Sequence, residues 1–394
     1  MKDSKRLLLA VGVLLAASLM RAPISTIGPL TRQIQASLGL SSGSAGLITT
    51  IPLILFAVIA PIAGKYLPRF HTPTVVLCCM ILVFSGSIIR SWLGLAGLYG
   101  GILAIGMGVG TLNVLLPALI RENFKERIGL ILGFYNSTLN LSSALSSGFS
   151  ASIAAAIGSW QPAAALWGFP ALIGIPIWLL INRRSSAQER SAGGQGEVSE
   201  ERPKLTRQSW MIACFMGLQA MVYYCILSWL PSILATKTND PQLPGTLLLV
   251  MQFVSLITCF IVPILTQRES LRKWISIAAS SFYFIGLGLI LRFSAIPVLV
   301  IGCVLAGLSS GTSYSYTLTL ISMSGRTKAE ITWSSGFTHM VGYGLAAIGP
   351  LLLGVVFDLT KSWTGPILIL MTIAICLAFV GIQAGQKQPQ ADAG

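Results

Sequence analysis

Residues 7–30 read LLLAVGVLLAASLMRAPISTIGPL, an apolar run with one charged side chain, Arg21, about two thirds of the way along. A run of this length predicts a helix that crosses a bilayer, since a crossing needs about 20 apolar residues. A cation at that depth costs at least about 2.5 kcal/mol. Arg21 is the only charged residue that we place inside a predicted span, and all twelve Asp and Glu fall in predicted loops or tails. A lone buried cation indicates a site for an anion or for an electron-rich polar group.

The composition is typical of a helical membrane protein. Hydrophobic residues make up 54% of the 394 residues and charged residues only 10%, which leaves too little charge for the surface of a soluble protein. The net charge of +14 lies at the ends of the apolar runs. We therefore expect the lipid bilayer, and no nucleic acid, as the partner of these basic residues. The seven cysteines show no metal-ligand spacing, so we expect no metal site, and we expect no cofactor.

The apolar runs predict an all-α membrane protein with twelve transmembrane helices. Twenty of the 26 Lys and Arg lie in segments that one orientation places in the cytoplasm, and five in the outer segments. This bias predicts that both termini are cytoplasmic. The predicted spans are, approximately, 7–30, 45–64, 74–92, 96–119, 128–156, 163–181, 209–235, 245–266, 274–292, 296–323, 331–357 and 364–384.

One long polar segment divides the spans into two groups of six. We predict an N-terminal six-helix bundle over 1–181, a cytoplasmic linker over 182–208 with six basic residues and four Glu, and a C-terminal bundle with a short cytoplasmic tail over 209–394. The second span of each half ends in a proline followed by basic residues, which favours two pseudo-symmetric bundles. Such repeats are typical of secondary transporters whose halves rock about a midplane site.

Polar side chains inside the spans predict which helices face a cavity, because these groups are costly in hydrocarbon. They recur at helical spacing in spans one, four, five, seven, ten and eleven. For the amides the alternative is hydrogen bonding between helices. For Arg21 it is a plug bonded to backbone carbonyls that Pro23 and Pro29 leave free near a bend. The predicted substrate-binding residues are Arg21, Asn113, Asn140, Gln219, Tyr223, Tyr316 and His339.

His339 is also the candidate proton carrier. It is the only histidine in a predicted span, and histidine is the side chain that ordinarily titrates near neutral pH. The alternative is a neutral imidazole that hydrogen-bonds to a neighbouring helix.

Four motifs give the chain a resemblance to a known family. They are Arg21 with Gly28-Pro29-Leu30, then Asn113-Val114-Leu115-Leu116-Pro117, then Trp229-Leu230-Pro231, and Gly342-Tyr343 with Gly349-Pro350. On these motifs the chain resembles the major facilitator superfamily over nearly its whole length, and within it the cyanate permease and 2-nitroimidazole transporter family. The resemblance implies the major facilitator fold and gating near the loop after span two. The candidate gating residues are Pro23, Gly64, Arg69 and Arg268, and this loop lacks the acidic residue that is usual in the superfamily.

We therefore expect a monomeric secondary active transporter in the cytoplasmic (inner) membrane of a bacterium. Its solute is small and anionic or electron-rich, and protons are candidate coupling ions through His339. The alternative within transport is an exporter of small heteroaromatic or antimicrobial compounds. A membrane sensor or enzyme is the remote alternative, because the predicted spans contain no nucleophile with its base, no metal site and no carboxylate pair.

Overall fold

The computed structural model of the protein describes residues 2–66, 70–124, 127–189, 206–240, 242–324 and 328–386. These residues form fifteen α-helices. The helices are α1 Lys2–Ser25, α2 Ile27–Leu38, α3 Ser42–Tyr66, α4 Thr72–Trp92, α5 Gly94–Asn123, α6 Ile128–Ile157, α7 Trp160–Leu166, α8 Pro170–Glu189, α9 Arg207–Leu234, α10 Leu243–Thr266, α11 Glu269–Arg292, α12 Ile296–Met323, α13 Lys328–Ala346, α14 Ile348–Thr360 and α15 Thr364–Ala384.

The helices make twelve membrane spans. Within the described residues, eleven helical segments are long and apolar enough to cross a membrane. We assign the twelfth span to α6, which has 30 residues and packs on α1 and α10. Two of the eleven segments each combine two consecutive helices, α7 with α8 and α13 with α14. The predicted all-α architecture of twelve spans is thereby confirmed.

The packing pattern repeats between α1–α8 and α9–α15. In the first half α3 and α4 pack on α5, α1 packs on α6, and α8 packs on α4 and α1. In the second half α10 and α11 pack on α12, α9 packs on α13, and α15 packs on α11 and α9. These are the same pairings six spans later. The halves meet where α3 contacts α13 and α14, where α6 contacts α10, and where α2 contacts α9.

The first span breaks at Thr26, between α1 and α2, and not beside Arg21 as the prolines had suggested. Pro29 has no N–H for the carbonyl of Ser25, so the helix is weakened one turn before it. The Thr26 hydroxyl is bonded to Ser150 of α6 at 2.6 Å, which fixes the break. α2 then continues to Leu38, past the predicted end of the span, and stops at Gly39, whose φ of +65° favours glycine.

Arg90 shows that the prediction of one charged side chain inside the spans is wrong. It lies in α4 and only 1% of its surface is exposed. One guanidinium nitrogen donates to the carbonyl of Pro23, and another donates to the carbonyl of Ala164 at 2.9 Å. These carbonyls lie next to two helix breaks, the one at Thr26 and the one between α7 and α8. Arg90 therefore joins three spans of the first half.

The predicted linker begins later than expected on its N-terminal side. α8 continues to Glu189, beyond the predicted boundary at 181, and α9 begins at Arg207. At the start of α9 the side chain of Thr206 accepts a hydrogen bond from the backbone N–H of Ser209, which is a normal N-cap. Residues 190–205, the middle of the linker, lie outside the described residues.

Candidate functional site

A small cavity lies between the two halves. Its lining comes from α1, α6, α9, α10, α12 and α13, so it combines both halves. Four of the predicted substrate-binding residues line it, namely Arg21, Asn140, Gln219 and Tyr223.

Arg21 brings the positive charge of the cavity. Its side chain donates a hydrogen bond to the hydroxyl of Tyr223 at 3.1 Å. Its guanidinium carbon lies 5.3 Å from the ring centre of Tyr223 and 5.4 Å from that of Tyr314. These are cation–π distances. The lining residues include no Asp or Glu, so the aromatic rings compensate part of the charge and no anion of the lining neutralises it.

Four tyrosines form an aromatic wall beside Arg21. The rings of Tyr223 and Tyr224 are 5.2 Å apart, and those of Tyr224 and Tyr343 are 6.4 Å apart. Tyr314 completes the set from α12. The pairs meet edge to face, the geometry that aromatic rings prefer. The tyrosine rings and the guanidinium of Arg21 therefore line the same cavity.

A series of hydrogen bonds, which we call the polar ring, runs from Arg21 through both halves and ends at Ser25 on the same helix. Tyr223 donates to the Oε1 atom of Gln252 at 3.2 Å, and the Nε2 atom of Gln252 donates to the Ser143 hydroxyl at 2.7 Å. The hydroxyl of Ser143 is bonded to that of Ser25 at 2.6 Å. Ser25 lies one helical turn after Arg21 on α1. The ring therefore passes through α1, α9, α10 and α6 and returns to α1.

Sequence reasoning missed the contribution of α10. Gln252, Ser255 and Cys259 stand at spacings of three and four residues in a mainly apolar helix, which places them on one face. That short stripe was the available signal. Ser255 and Cys259 line the cavity, whereas span four, which we expected to contribute, brings no residue to the described lining.

Asn113 and Tyr316 lie away from the cavity. Asn113 is half-buried on α5, whose packing partners are mainly other helices of the first half. The hydroxyl of Tyr316 donates to the carbonyl of Gly381 at 3.4 Å, and its ring packs on Phe215. Tyr314 takes the cavity position instead, because residues two apart on a helix point about 200° apart.

His339 lies one turn from the cavity wall. Its ring is 5.6 Å from that of Tyr343, and its Nδ1 atom is 2.7 Å from the carbonyl oxygen of Ser335. A carbonyl can only accept, so Nδ1 carries the hydrogen of this bond. The Nε2 atom is left to gain or lose a proton.

The candidate gating residues are dispersed. Pro23 contributes the carbonyl that Arg90 contacts. Gly64 is in the last turn of α3, and Arg69 lies outside the described residues. Arg268 is exposed and precedes the first residue of α11. They form no common cluster among the described residues.

The halves are closed at the end that holds Asp358. There Asp358 accepts hydrogen bonds from the backbone N–H groups of Ser42 and Gly43, at 3.1 and 2.7 Å. Arg32 donates to the carbonyls of Ser232 and Ala235. Hydrogen bonds that join described side chains across the halves lie at the level of Arg21 or between it and this end. The end predicted to face outward is therefore sealed.

Close backbone contact accompanies this closure. A Cβ atom added at Gly28 would lie 2.1 Å from the carbonyl oxygen of Leu227, and one at Gly46 would lie 2.6 Å from that of Pro350. Such distances are impossible for a side chain. Gly28 and Gly349 both belong to the motifs quoted above. Gly28 lies where the first half meets α9 of the second half, and Gly349 lies where α14 meets α9.

Proteins of similar sequence are transporters. A protein of Bacillus subtilis (strain 168) described as an uncharacterized transporter, YycB, is 33% identical over 382 residues, which cover 96% of this chain and 94% of that protein. The 2-nitroimidazole transporter of Escherichia coli (strain K12) is 28% identical, with 98% of each chain covered. The cyanate transport protein CynX of the same organism is 23% identical, with 87% of this chain and 88% of that protein covered.

Solved structures of similar fold are also membrane transporters. The D-xylose-proton symporter superimposes with a TM-score of 0.72 at 14% identity, over 97% of this chain and 99% of that one. A bacterial homologue of the human lysosomal transporter Spinster gives a TM-score of 0.67 at 13% identity, over 96% and 92%. A sequence profile of the Major Facilitator Superfamily matches residues 13–330. The chain belongs to the Major Facilitator Superfamily, and it is a multi-pass membrane transporter and not an enzyme.

Proposed function

We propose that this transporter carries a small solute with an anionic or electron-rich polar group, and that Arg21 binds this group. The observation that carries the proposal is the guanidinium of Arg21, which faces a cavity whose described lining contains no carboxylate. A guanidinium presents planar, paired donors that suit a carboxylate or a similar anion. The amides of Asn140 and Gln219 supply further polar contacts.

The proposed cycle is alternating access, in which the halves rock about the cavity. The distribution of Lys and Arg supports cytoplasmic termini and the cytoplasmic membrane of a bacterium as the location. In that orientation the sealed end with Asp358 faces outward, and the cavity would exchange solute with the cytoplasm. We propose that the monomer is the transporting unit, since both halves of one chain contribute to the cavity lining.

We also propose that His339 is the proton carrier, if transport is proton-coupled. Its position one turn from Tyr343 supports this, because a charge gained on the ring would lie near the cavity wall. The D-xylose-proton symporter has the same fold, but that similarity concerns fold alone.

A second candidate, an exporter of small heteroaromatic compounds, is favoured by the aromatic wall. Tyr223, Tyr224, Tyr314 and Tyr343 offer ring faces and edges on which a planar ring can pack. The relative from Escherichia coli that is named as a 2-nitroimidazole transporter supports the same idea. Both candidates use Arg21, the first as the main contact and the second beside the rings.

A thermal-shift panel tests the two candidates on the purified protein. The compounds are cyanate, nitrate, benzoate, 2-nitroimidazole and unsubstituted imidazole. A ligand that binds the native state raises its stability, by about 2.7 kcal/mol at a concentration of 100 times Kd. Stabilisation by cyanate and nitrate supports the anion site. Stabilisation by both imidazoles, with no effect of the anions, supports the second candidate.

Two substitutions at Arg21 separate a binding site from a plug. Lysine keeps the positive charge but lacks the planar, paired donors of the guanidinium. Arg21→Lys should therefore weaken binding of the stabilising compound about tenfold or more. Arg21→Ala should abolish binding in a folded protein. Arg292→Ala, at an exposed arginine, is the matched control. If Arg21→Ala binds as tightly as the unmodified protein, the proposal fails, and if it does not fold, Arg21 is a plug.

A further inference from the structure

Gln252 is a buried polar residue whose role the cavity alone does not explain. Only 1% of its surface is exposed, and it lies on α10. Both ends of its amide are bonded, one to Tyr223 at 3.2 Å and the other to Ser143 at 2.7 Å. Burial of an amide is costly unless its atoms are paired. The position of Gln252 is therefore set by these two partners.

The hydrogen bonds of the polar ring run in one direction. The guanidinium of Arg21 donates to Tyr223, Tyr223 donates to Gln252, and Gln252 donates to Ser143. Hydrogen bonds in such a series polarise one another and strengthen together. The charge at the start of the series is the group that a solute would contact.

The same series crosses between the halves twice. The first crossing is from Arg21 on α1 to Tyr223 on α9, and the second is from Gln252 on α10 to Ser143 on α6. Beside the second crossing the helices are in close contact, since a Cβ atom at Gly245 would lie 3.0 Å from the carbonyl oxygen of Gly148. One glutamine thus connects the cavity to the contact between α6 and α10.

We propose that Gln252 is a positioning residue that couples occupation of Arg21 to the contact between α6 and α10. The coupling rests on the proposed function, because the solute is the group that takes over the hydrogen bonds of Arg21. A solute that accepts from the Nη1 atom of Arg21 competes with the hydroxyl of Tyr223, the present acceptor of that atom. Tyr223 then loses its charged donor, its bond to Gln252 weakens, and the bond from Gln252 to Ser143 loses its support. Binding in the cavity thereby favours separation of the halves at this contact.

The test measures the contact without any solute, so that its outcome is independent of whether Arg21 binds one. Cysteines replace Ile157 at the end of α6 and Gln242 before α10, two exposed positions in opposite halves, in a protein whose native cysteines are replaced. Spin labels at the pair report the distance distribution. Gln252→Leu should raise the ratio of separated to closed molecules about fivefold, the effect of roughly 1 kcal/mol for a hydrogen bond. An unchanged distribution overturns the proposal.

Double variants distinguish coupling from packing. Tyr223→Phe and Arg21→Met should each shift the distribution toward separation. When either variant is combined with Gln252→Leu, the shift should be smaller than the sum of the two single shifts, because the effects of substitutions in one hydrogen-bond network are not additive. Full additivity overturns the proposal and leaves Gln252 a packing residue. Ser143→Ala, which removes one atom from the partner side, replaces Gln252→Leu if that variant does not fold. The control is Thr138→Ala on α6, whose hydroxyl bonds the carbonyl of Phe134 one turn away.

Discussion

Asp358, in the second half of the protein, accepts a hydrogen bond of 2.7 Å from the backbone N–H of Gly43, in the first turn of α3 in the first half. A carboxylate at a helix N-terminus is favoured because the unpaired N–H groups there carry partial positive charge. The opposite arrangement occurs nearby, where Arg32 of the first half donates to carbonyls at the end of α9 in the second half. Each half thus places a charge on a helix end of the other.

Removal of the Asp358 carboxylate should open this end. Asp358→Ala takes the acceptor from two N–H groups, and a cap of this kind is worth about 1 kcal/mol. Asp358→Asn retains one acceptor oxygen and should have about half the effect. The measurement is the rate at which a thiol reagent labels Thr49→Cys, a buried position between the halves, in a protein without native cysteines. The rate should rise about fivefold in Asp358→Ala, since labelling follows the open population.

The control for this experiment is Asp240→Asn. Asp240 is exposed, and its carboxylate accepts from the backbone N–H of Gln242 within its own loop. The labelling rate of Thr49→Cys should be unchanged by it. If Asp240→Asn accelerates labelling as much as Asp358→Ala, the effect is one of net charge and the interaction with α3 is not responsible.

Gly28→Ala should prevent full closure of the same end. Its Cβ atom would be 2.1 Å from the carbonyl oxygen of Leu227, which is backbone and cannot rotate away. The span must therefore withdraw from α9, and Thr49→Cys should be labelled more than tenfold faster. Gly100→Ala is the matched control, because a Cβ at Gly100 in α5 meets no atom within 4 Å. It should leave labelling unchanged and stabilise α5 slightly. Normal closure in Gly28→Ala would contradict the structure at this contact.

Sequence alone could predict the position of a residue where one helix face carried a single strong signal. Arg21 is the one cation in a long apolar run, so its position in a cavity followed from the cost of burial. In α12 the hydroxyl-bearing residues are too dense to define a face. Tyr314 and Tyr316 are equally polar in sequence, and only the packing of Phe215 and Gly381 decides that Tyr316 faces away from the cavity.

Arg90 illustrates what the sequence could not reveal. It stands near the end of an apolar run, and at such a position arginine ordinarily contacts water or headgroups. Its burial depends on the carbonyls of Pro23 and Ala164, which become its partners only when α1 and α7 pack against α4. No local pattern records that contact. The twelve spans were predictable because each depends on its own hydropathy.

Arg90→Met should lower the thermal stability of the protein. The methionine fills much of the space and removes a costly buried cation, but it leaves the carbonyls of Pro23 and Ala164 without this donor, at about 1–3 kcal/mol each. We expect the carbonyl term to dominate, and Tm to fall by several degrees. The Tm of Arg90→Lys should lie between those of Arg90→Met and the unmodified protein. Binding at Arg21 should weaken as well, because Pro23 is two residues away.

Arg292→Met is the control for Arg90. Arg292 ends α11, the counterpart of α4 in the second half, and it is exposed. Its replacement should change the free energy of unfolding by no more than about 0.5 kcal/mol, and Tm should change little. A rise of Tm in Arg90→Met would show that desolvation of the cation outweighs the two hydrogen bonds, and the account of Arg90 as a link between helix breaks would then be wrong.

His339→Gln tests proton coupling separately from solute binding. If the Nε2 atom of His339 carries the proton, the variant should lose accumulation of solute driven by a pH gradient. Exchange of labelled for unlabelled solute should persist, because it requires only that the loaded carrier reorients. The glutamine retains a donor for the carbonyl of Ser335, the present partner of Nδ1, so the helix contact is preserved. Both fluxes are measured in the same vesicles, with the compound that the thermal-shift panel identifies.

The two fluxes also separate the remaining explanations. Loss of both would mean that His339 supports the cavity wall through Tyr343, whose ring lies 5.6 Å away. Tyr343→Phe, which keeps the ring and removes only the hydroxyl, should then preserve both, since the packing is intact. Unchanged accumulation in His339→Gln would remove the histidine from the coupling mechanism. The imidazole would then be a neutral group held by Ser335, and any proton movement would have to involve the solute itself.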